Sequence, residues 1–145
     1  MSSLSRSIQR DIPLETKVAF LRRAASFPEQ TAQVEAVETH MSWVFLTERH
    51  AYKLKKPVRT PFLDFSSIAS RRRHCEAEVS LNRRLARGVY LDTVRLAADP
   101  AGKLQLGGKA RVVDWLVKMR RLPAPVRLDV RAAMSTGIGS AERSR

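Results

Sequence analysis

Cysteine occurs once in the 145 residues, as Cys75. That excludes an internal disulfide framework and fits a reducing cytosol. Acidic residues are also scarce: 14 Asp and Glu stand against 27 Lys and Arg, a net charge of +13. Such an excess predicts attraction to anions such as nucleotides, nucleic acid or acidic membrane surfaces, without choosing among them. No stretch reaches the roughly 18 apolar residues of a transmembrane helix. No long apolar core follows the basic residues of the N-terminus, so no secretory signal is expected. The expected compartment is the cytoplasm. Internal repeats are missing too. What remains is 43% hydrophobic and 28% charged, which is globular rather than disordered and enough for one domain with a modest core.

The chain is organised around THMSWVFLTERHAYKLKKPV, from Thr39 to Val58. Ser42 to Leu46 is aromatic and β-branched, as a half-buried strand requires. Thr47 to His50 reads as a reversal and Ala51 to Lys55 as the second strand of a hairpin. Alternation puts Ala51, Lys53 and Lys55 on one face, with Tyr52 and Leu54 on the other. A flat ligand could lie over the alanine while a lysine reaches an anion.

Around this hairpin, residues 1–10 are expected to be disordered. Asp11 and Pro13 open a short amphipathic helix carrying Leu14, Val18, Leu21 and Ala25, which ends before Pro28. Ala32 to Thr39 is a first strand interrupted by Glu35 and Glu38. Pro57 and Pro61 make Lys56 to Phe65 a loop. Ser66 or Ser67 caps a helix that runs to about Arg87, where Gly88 stops it. Thr93 to Leu96 and Lys103 to Leu106 flank a turn at Asp99 to Gly102, Gly107-Gly108 turns again, and Val112 to Met119 is a strand. A short helix over Val126 to Met134 and a disordered tail over 124–145 complete the reading.

On the helix after Ser67, residues Ile68, Cys75, Val79, Asn82, Leu85 and Ala86 gather on one side, with Glu78 inside that arc. Glu76 points elsewhere, toward Arg72 and Arg83, as a surface ion-pairing residue. An inward carboxylate at Glu78 needs a cation. A strand lysine paired with a glutamate on the following helix is the ion pair with which kinases position nucleotide phosphates, and Ala51-Tyr52-Lys53 fits the A-x-K part of their lysine strand. Lys55, on the same face, is the rival cation.

In order, the blocks THMSWVFL, AYKLKKPV, PFLDFSS, RRRHCEAEVSLNRRLA, VYLD and VDWLVKMRRLP resemble the N-terminal lobe of bacterial aminoglycoside-phosphotransferase-like proteins. These have a kinase-like fold, and many carry a P-loop ATP-binding domain after it. The resemblance covers roughly residues 14 to 123 and implies a kinase-like N-lobe over 11–123. It implies an α+β fold: a small twisted antiparallel sheet of about five strands, one packed helix and an N-terminal helix. Lys53 would contact the nucleotide phosphates, Glu78 would hold Lys53, and Ala51 would face the ligand. His40-Met41-Ser42 would form the phosphate-loop turn. Lys118 to Arg121, including Met119 and Arg120, would be the hinge whose backbone meets the adenine. ATP with magnesium is implied for the complete enzyme. No H-x-D…N catalytic loop follows Pro123, Asp129 is the only later aspartate, and no G-x-x-x-x-G-K-[ST] loop occurs. The chain therefore reads as a truncated or separately encoded nucleotide-side lobe, inactive alone, with a C-lobe encoded elsewhere as a partner. No catalytic residue and no metal ligand is assigned.

Two other classes stand beside this one. Arg71-Arg72-Arg73 and Arg120-Arg121 suggest a nucleic-acid-binding module, but no helix-turn-helix pattern, zinc ligand set or aromatic-rich RNA-binding strand accompanies them. Specific nucleic-acid binding is therefore not expected. Arg72 and Arg73 read as a solvated helix face. A non-catalytic interaction domain is the third class, in which Leu116 to Leu122 would expose apolar surface. His40 reads as structural, His50 and His74 do not form a zinc site with Cys75, and Trp43 and Trp115 read as core.

Overall fold

The computed structural model describes residues 12–121. Helix α1 spans Leu14–Leu21 and is followed by a single 3-10 turn, Ala24–Ser26. Strands β1 (Glu35–Glu38), β2 (Ser42–Leu46) and β3 (His50–Lys55) come next, then helix α2 (Ile68–Leu85), then β4 (Tyr90–Ala98), β5 (Leu104–Leu106) and β6 (Arg111–Arg120). The strands form one sheet in the order β1-β2-β3-β6-β4-β5, antiparallel at every junction. The class is α+β, with six strands where the sequence predicts about five. The first strand, read over Ala32 to Thr39, is the shorter edge strand β1, which pairs with β2 alone and keeps Glu35 and Glu38 exposed. The two glutamates lie on opposite faces, and both are tolerated because the outer edge of β1 is unpaired and meets water.

The hairpin register follows the alternation of its residues. Trp43 lies opposite Leu54, Val44 opposite Lys53 and Leu46 opposite Ala51. On the other edge of β3, Ala51 lies opposite Met119 and Lys53 opposite Val117. One face of the sheet carries Phe45, Tyr52, Leu54, Leu96 and Leu116, packed with Val18, Leu21 and Phe27. The opposite face carries Val44, Leu46, Ala51, Val117 and Met119 against Cys75 and Val79 of α2. Trp43 and Trp115 are half-buried, one against each cluster. α1 and α2 thus cover opposite sides of one sheet, each by its apolar stripe.

The Ser67 side chain accepts the Ser70 N–H and caps α2. At its other end Gly88 adopts φ +83°, which a side chain would disfavour. The helix ends two residues before the predicted Arg87, and α1 ends at Leu21, leaving Ala25 in the 3-10 turn. Leu85, predicted on the inward arc, is 77% exposed. The buried residues of α2 end at Val79, and at its end Asn82 and the C-cap residue Ala86 are only partly buried. The apolar surface expected over Leu116 to Leu122 is not formed by Leu116, Val117 or Met119, each fully buried, because β6 lies between β3 and β4. Readings placed on 1–10, on Val126 to Met134 and on 124–145 lie outside the described residues.

Candidate functional site

β3 is paired on both edges, so the side chains of Ala51, Lys53 and Lys55 project from a central strand toward α2. Glu78 projects back from the helix. Its Oε2 accepts Lys53 Nζ at 3.1 Å and its Oε1 accepts Lys55 Nζ at 2.6 Å. All three side chains are at most 5% exposed. The predicted inward glutamate has its cation, and the rival lysine joins it rather than displacing it. Both carboxylate oxygens are occupied, one lysine on each.

Burial pushes the Lys53 ammonium down to about 8; Glu78 pulls it back up and Lys55 pushes it down further. Burial by itself would raise the Glu78 carboxyl, and the two lysines more than offset this, holding it below the usual carboxylate range. Cys75, on the same buried face, has its thiol pushed up to about 12 by burial, so it is a neutral neighbour. The Phe65 ring lies 5.3 Å from Lys55 Nζ and offers its negative face to that charge.

The other predicted site residues lie at the two ends of β3. Ser42 is opposite Lys55, and its turn is closed by Thr39 N–H donating to Ser42 O at 2.8 Å and Ser42 N–H donating to Thr39 Oγ1 at 3.0 Å. His40 is exposed at the tip of that turn. The turn is tied to the lysine strand by Lys56 N–H donating to Met41 O and by Lys56 Nζ on Glu38 at 2.7 Å. At the other end Met119 packs beside Ala51, and Arg120 is opposite His50. The Arg120 and Arg121 N–H groups donate to Val89 O and Arg49 O, and the Lys118 ammonium lies over the Tyr52 ring. Ala51 and Lys55 are four residues apart, roughly 13 Å along a strand. The turn, the lysines and the β6 end therefore line up along β3 in that order. A cleft of about 650 Å³ between Phe27, Glu29, Thr31 and Glu48 does not include them.

Two further polar clusters are not among the predicted site residues. Asp114 of β6 takes Lys17 Nζ on Oδ2 at 2.8 Å and Arg71 Nε on Oδ1 at 2.9 Å, all three buried. Glu29 accepts Tyr52 OH and Thr47 Oγ1, each at 2.5 Å, and meets His50 Nδ1 at 2.8 Å. The signal for the first was an aspartate inside the apolar run Val112-Val113-Asp114-Trp115-Leu116-Val117. As expected, Glu76 pairs on the surface with Arg72. Among the described residues no three His, Cys, Asp or Glu come together to hold a metal ion, and no helix is long and apolar enough to cross a membrane.

No family model matches the chain, and no solved structure matches it. The chain is similar to uncharacterized proteins of Mycobacterium tuberculosis and of Mycobacterium bovis, each 44% identical over 69 residues. The match takes in 48% of this chain and 14% of each relative. The chain therefore spans a small part of the length of the curated relatives it matches.

Proposed function

We propose that the chain is the nucleotide-side lobe of a kinase-like phosphotransferase, of the aminoglycoside-phosphotransferase-like kind that its sequence blocks resemble. The observation that carries this is the buried contact between Lys53 on the central strand and Glu78 on α2. A lysine fixed by a glutamate presents a positioned point charge, which is how such enzymes bind the phosphates of a nucleotide. In this reading Lys53 contacts the phosphates and Glu78 sets its rotamer. The Thr39 to Ser42 turn lies at the phosphate end of β3, and the base lies at the end marked by Ala51, Met119 and Arg120. ATP with magnesium serves the complete enzyme in the cytoplasm. The catalytic base and the metal ligands come from a C-lobe beyond the described residues or on a separate chain.

The test is titration of the chain with ATP against Lys53→Met at several salt concentrations. Loss of binding in the variant is the expected result. Equal binding by both proteins would overturn the reading. Binding of nucleic acid that falls steeply with salt and ignores the substitution would favour the basic-module reading instead.

A further inference from the structure

Two lysines share one carboxylate at the centre of the molecule, and the sum of their charges is not zero. The neighbours do not correct it. The Cys75 thiol is neutral at ordinary pH, and burial followed by Glu78 raises the Tyr90 hydroxyl, so it too is neutral. The other buried carboxylate among the described residues, Asp114, already holds Lys17 and Arg71. Phe65 contributes only a ring face to Lys55. Buried charge without a counter-charge is costly, more so than a buried polar group. The Asp114 cluster carries the same surplus; what sets Glu78 apart is that its two lysines stand on one strand, one on each carboxylate oxygen, so that one can leave while the other stays.

We propose that Lys53, Lys55 and Glu78 form a two-cation site for one phosphate group, in which Lys55 is the positioning residue that keeps Glu78 neutralised while Lys53 turns to the phosphate. This rests on the nucleotide reading above and adds a residue and a charge requirement to it.

The geometry assigns the roles. Lys55 makes the shorter contact, 2.6 Å against 3.1 Å for Lys53, and a ring lies 5.3 Å from its ammonium. Lys53 makes the longer contact, and it is the lysine that the nucleotide reading turns to the phosphate. With a single lysine, a phosphate drawing Lys53 away would leave Glu78 buried and unpaired, which opposes binding. With Lys55 in place Glu78 keeps a full partner on Oε1, and the incoming anion replaces the contact to Oε2. Lys55 also lies opposite Ser42, so the surplus charge sits beside the turn at one end of β3.

The experiment compares the wild-type chain with Lys55→Met and Lys53→Met, using tripolyphosphate and ATP at millimolar concentration. Binding is read by calorimetry, and thermal midpoints are recorded with and without ligand. For Lys55→Met the expected result is affinity reduced roughly tenfold or more, with an unliganded midpoint equal to or above the wild type because the surplus charge is gone. If Lys55→Met does not fold, Lys55→Gln carries the same test: it can still donate to Glu78 but brings no charge. Wild-type affinity in a folded Lys55 variant overturns the inference, and if Lys53→Met has meanwhile lost binding, the nucleotide reading stands without it. Unchanged affinity in both variants, or no ligand-induced shift in the wild type, overturns both.

Discussion

Arg71 Nε lies 2.9 Å from Asp114 Oδ1, with each side chain 1% exposed. Arg71 Nη1 also donates to Phe65 O at 2.8 Å. This pair ties the first turns of α2 to β6, and Glu78, seven residues further along the same helix face, ties it to β3. Two polar anchors two turns apart fix both the rotation of the helix and its position along its axis. Lys17 completes the first anchor from α1, so a single aspartate joins both helices to the sheet.

Replacing Asp114 by Ala is expected to destabilise the chain by about 3–5 kcal/mol, because Arg71 and Lys17 are then buried without their counter-charge. Chemical denaturation measures this. A loss below about 1 kcal/mol would mean that water reaches both cations.

Glu78→Leu is expected to cost a similar amount, about 3–5 kcal/mol, since two buried lysines then face each other unpaired. The double variant Lys53→Met/Glu78→Leu is expected to cost less than the sum of the singles. Additive losses in that cycle would show that Lys53 and Glu78 are not energetically coupled.

Lys53 gives stability an unusual dependence on pH. Unfolded, its ammonium keeps its proton up to about 10.5; folded, it releases it from about 8. Above about 8 the unfolded chain therefore binds more protons, and stability rises with pH. Cys75 acts oppositely from 9.0 upward, because the folded thiol holds its proton to about 12. The expected signature is a denaturation midpoint that rises between about pH 8 and 9 in the wild type and is flat in Lys53→Met. A flat wild-type profile over that window would contradict it.

Glu29 is expected to matter at acid pH. Burial would raise its carboxyl, but the hydrogen bonds from Thr47, Tyr52 and His50 more than offset that and hold it below 4.5. A carboxyl lowered on folding contributes stability that is full above the unfolded value and lost as pH falls through the folded one. Glu29→Ala is expected to cost about 1.5–3 kcal/mol near neutral pH and to reduce the wild type's loss of stability under acid. An unchanged acid profile in the variant would assign that loss to other carboxylates.

Much of this architecture was legible in local pattern. Alternation gave the hairpin from Ser42 to Lys55 nearly to the residue, Ser67 was one of two candidate caps beside Ser66, and helical spacing put Glu78 inward and Glu76 outward. Of the pairings between residues distant in sequence, Lys53 with Glu78 was legible and those of Asp114 were not. Arg71 opens a run of three arginines that drew notice as a basic patch, and only contact with Asp114, 43 residues away, distinguishes it from the solvated Arg72 and Arg73. Lys17 lies on a helix whose apolar spacing drew attention to Leu14, Val18 and Leu21 instead. The second lysine of the site was visible on the right face, but a one-lysine, one-glutamate pattern made it a competitor when the geometry makes it a partner. Leu85 fitted the helical period, yet the helix turns its neighbour Ala86 to the cluster and leaves Leu85 in water.

The place of β6 in the sheet sets the order in which the molecule can be assembled. The described strand that leaves the ribosome last is the one that joins β1-β2-β3 to β4-β5. Until residues 111–120 arrive, both groups carry an open inner edge, Asp114 is not there to receive Lys17 and Arg71, and α2 lacks its floor at Val117 and Met119. A chain stopped before Arg111 would hold two half-sheets with unpaired edges facing one another, a form open to edge-to-edge association. Folding is then a late, largely single event governed by non-local pairing and correspondingly slow for a domain of this size.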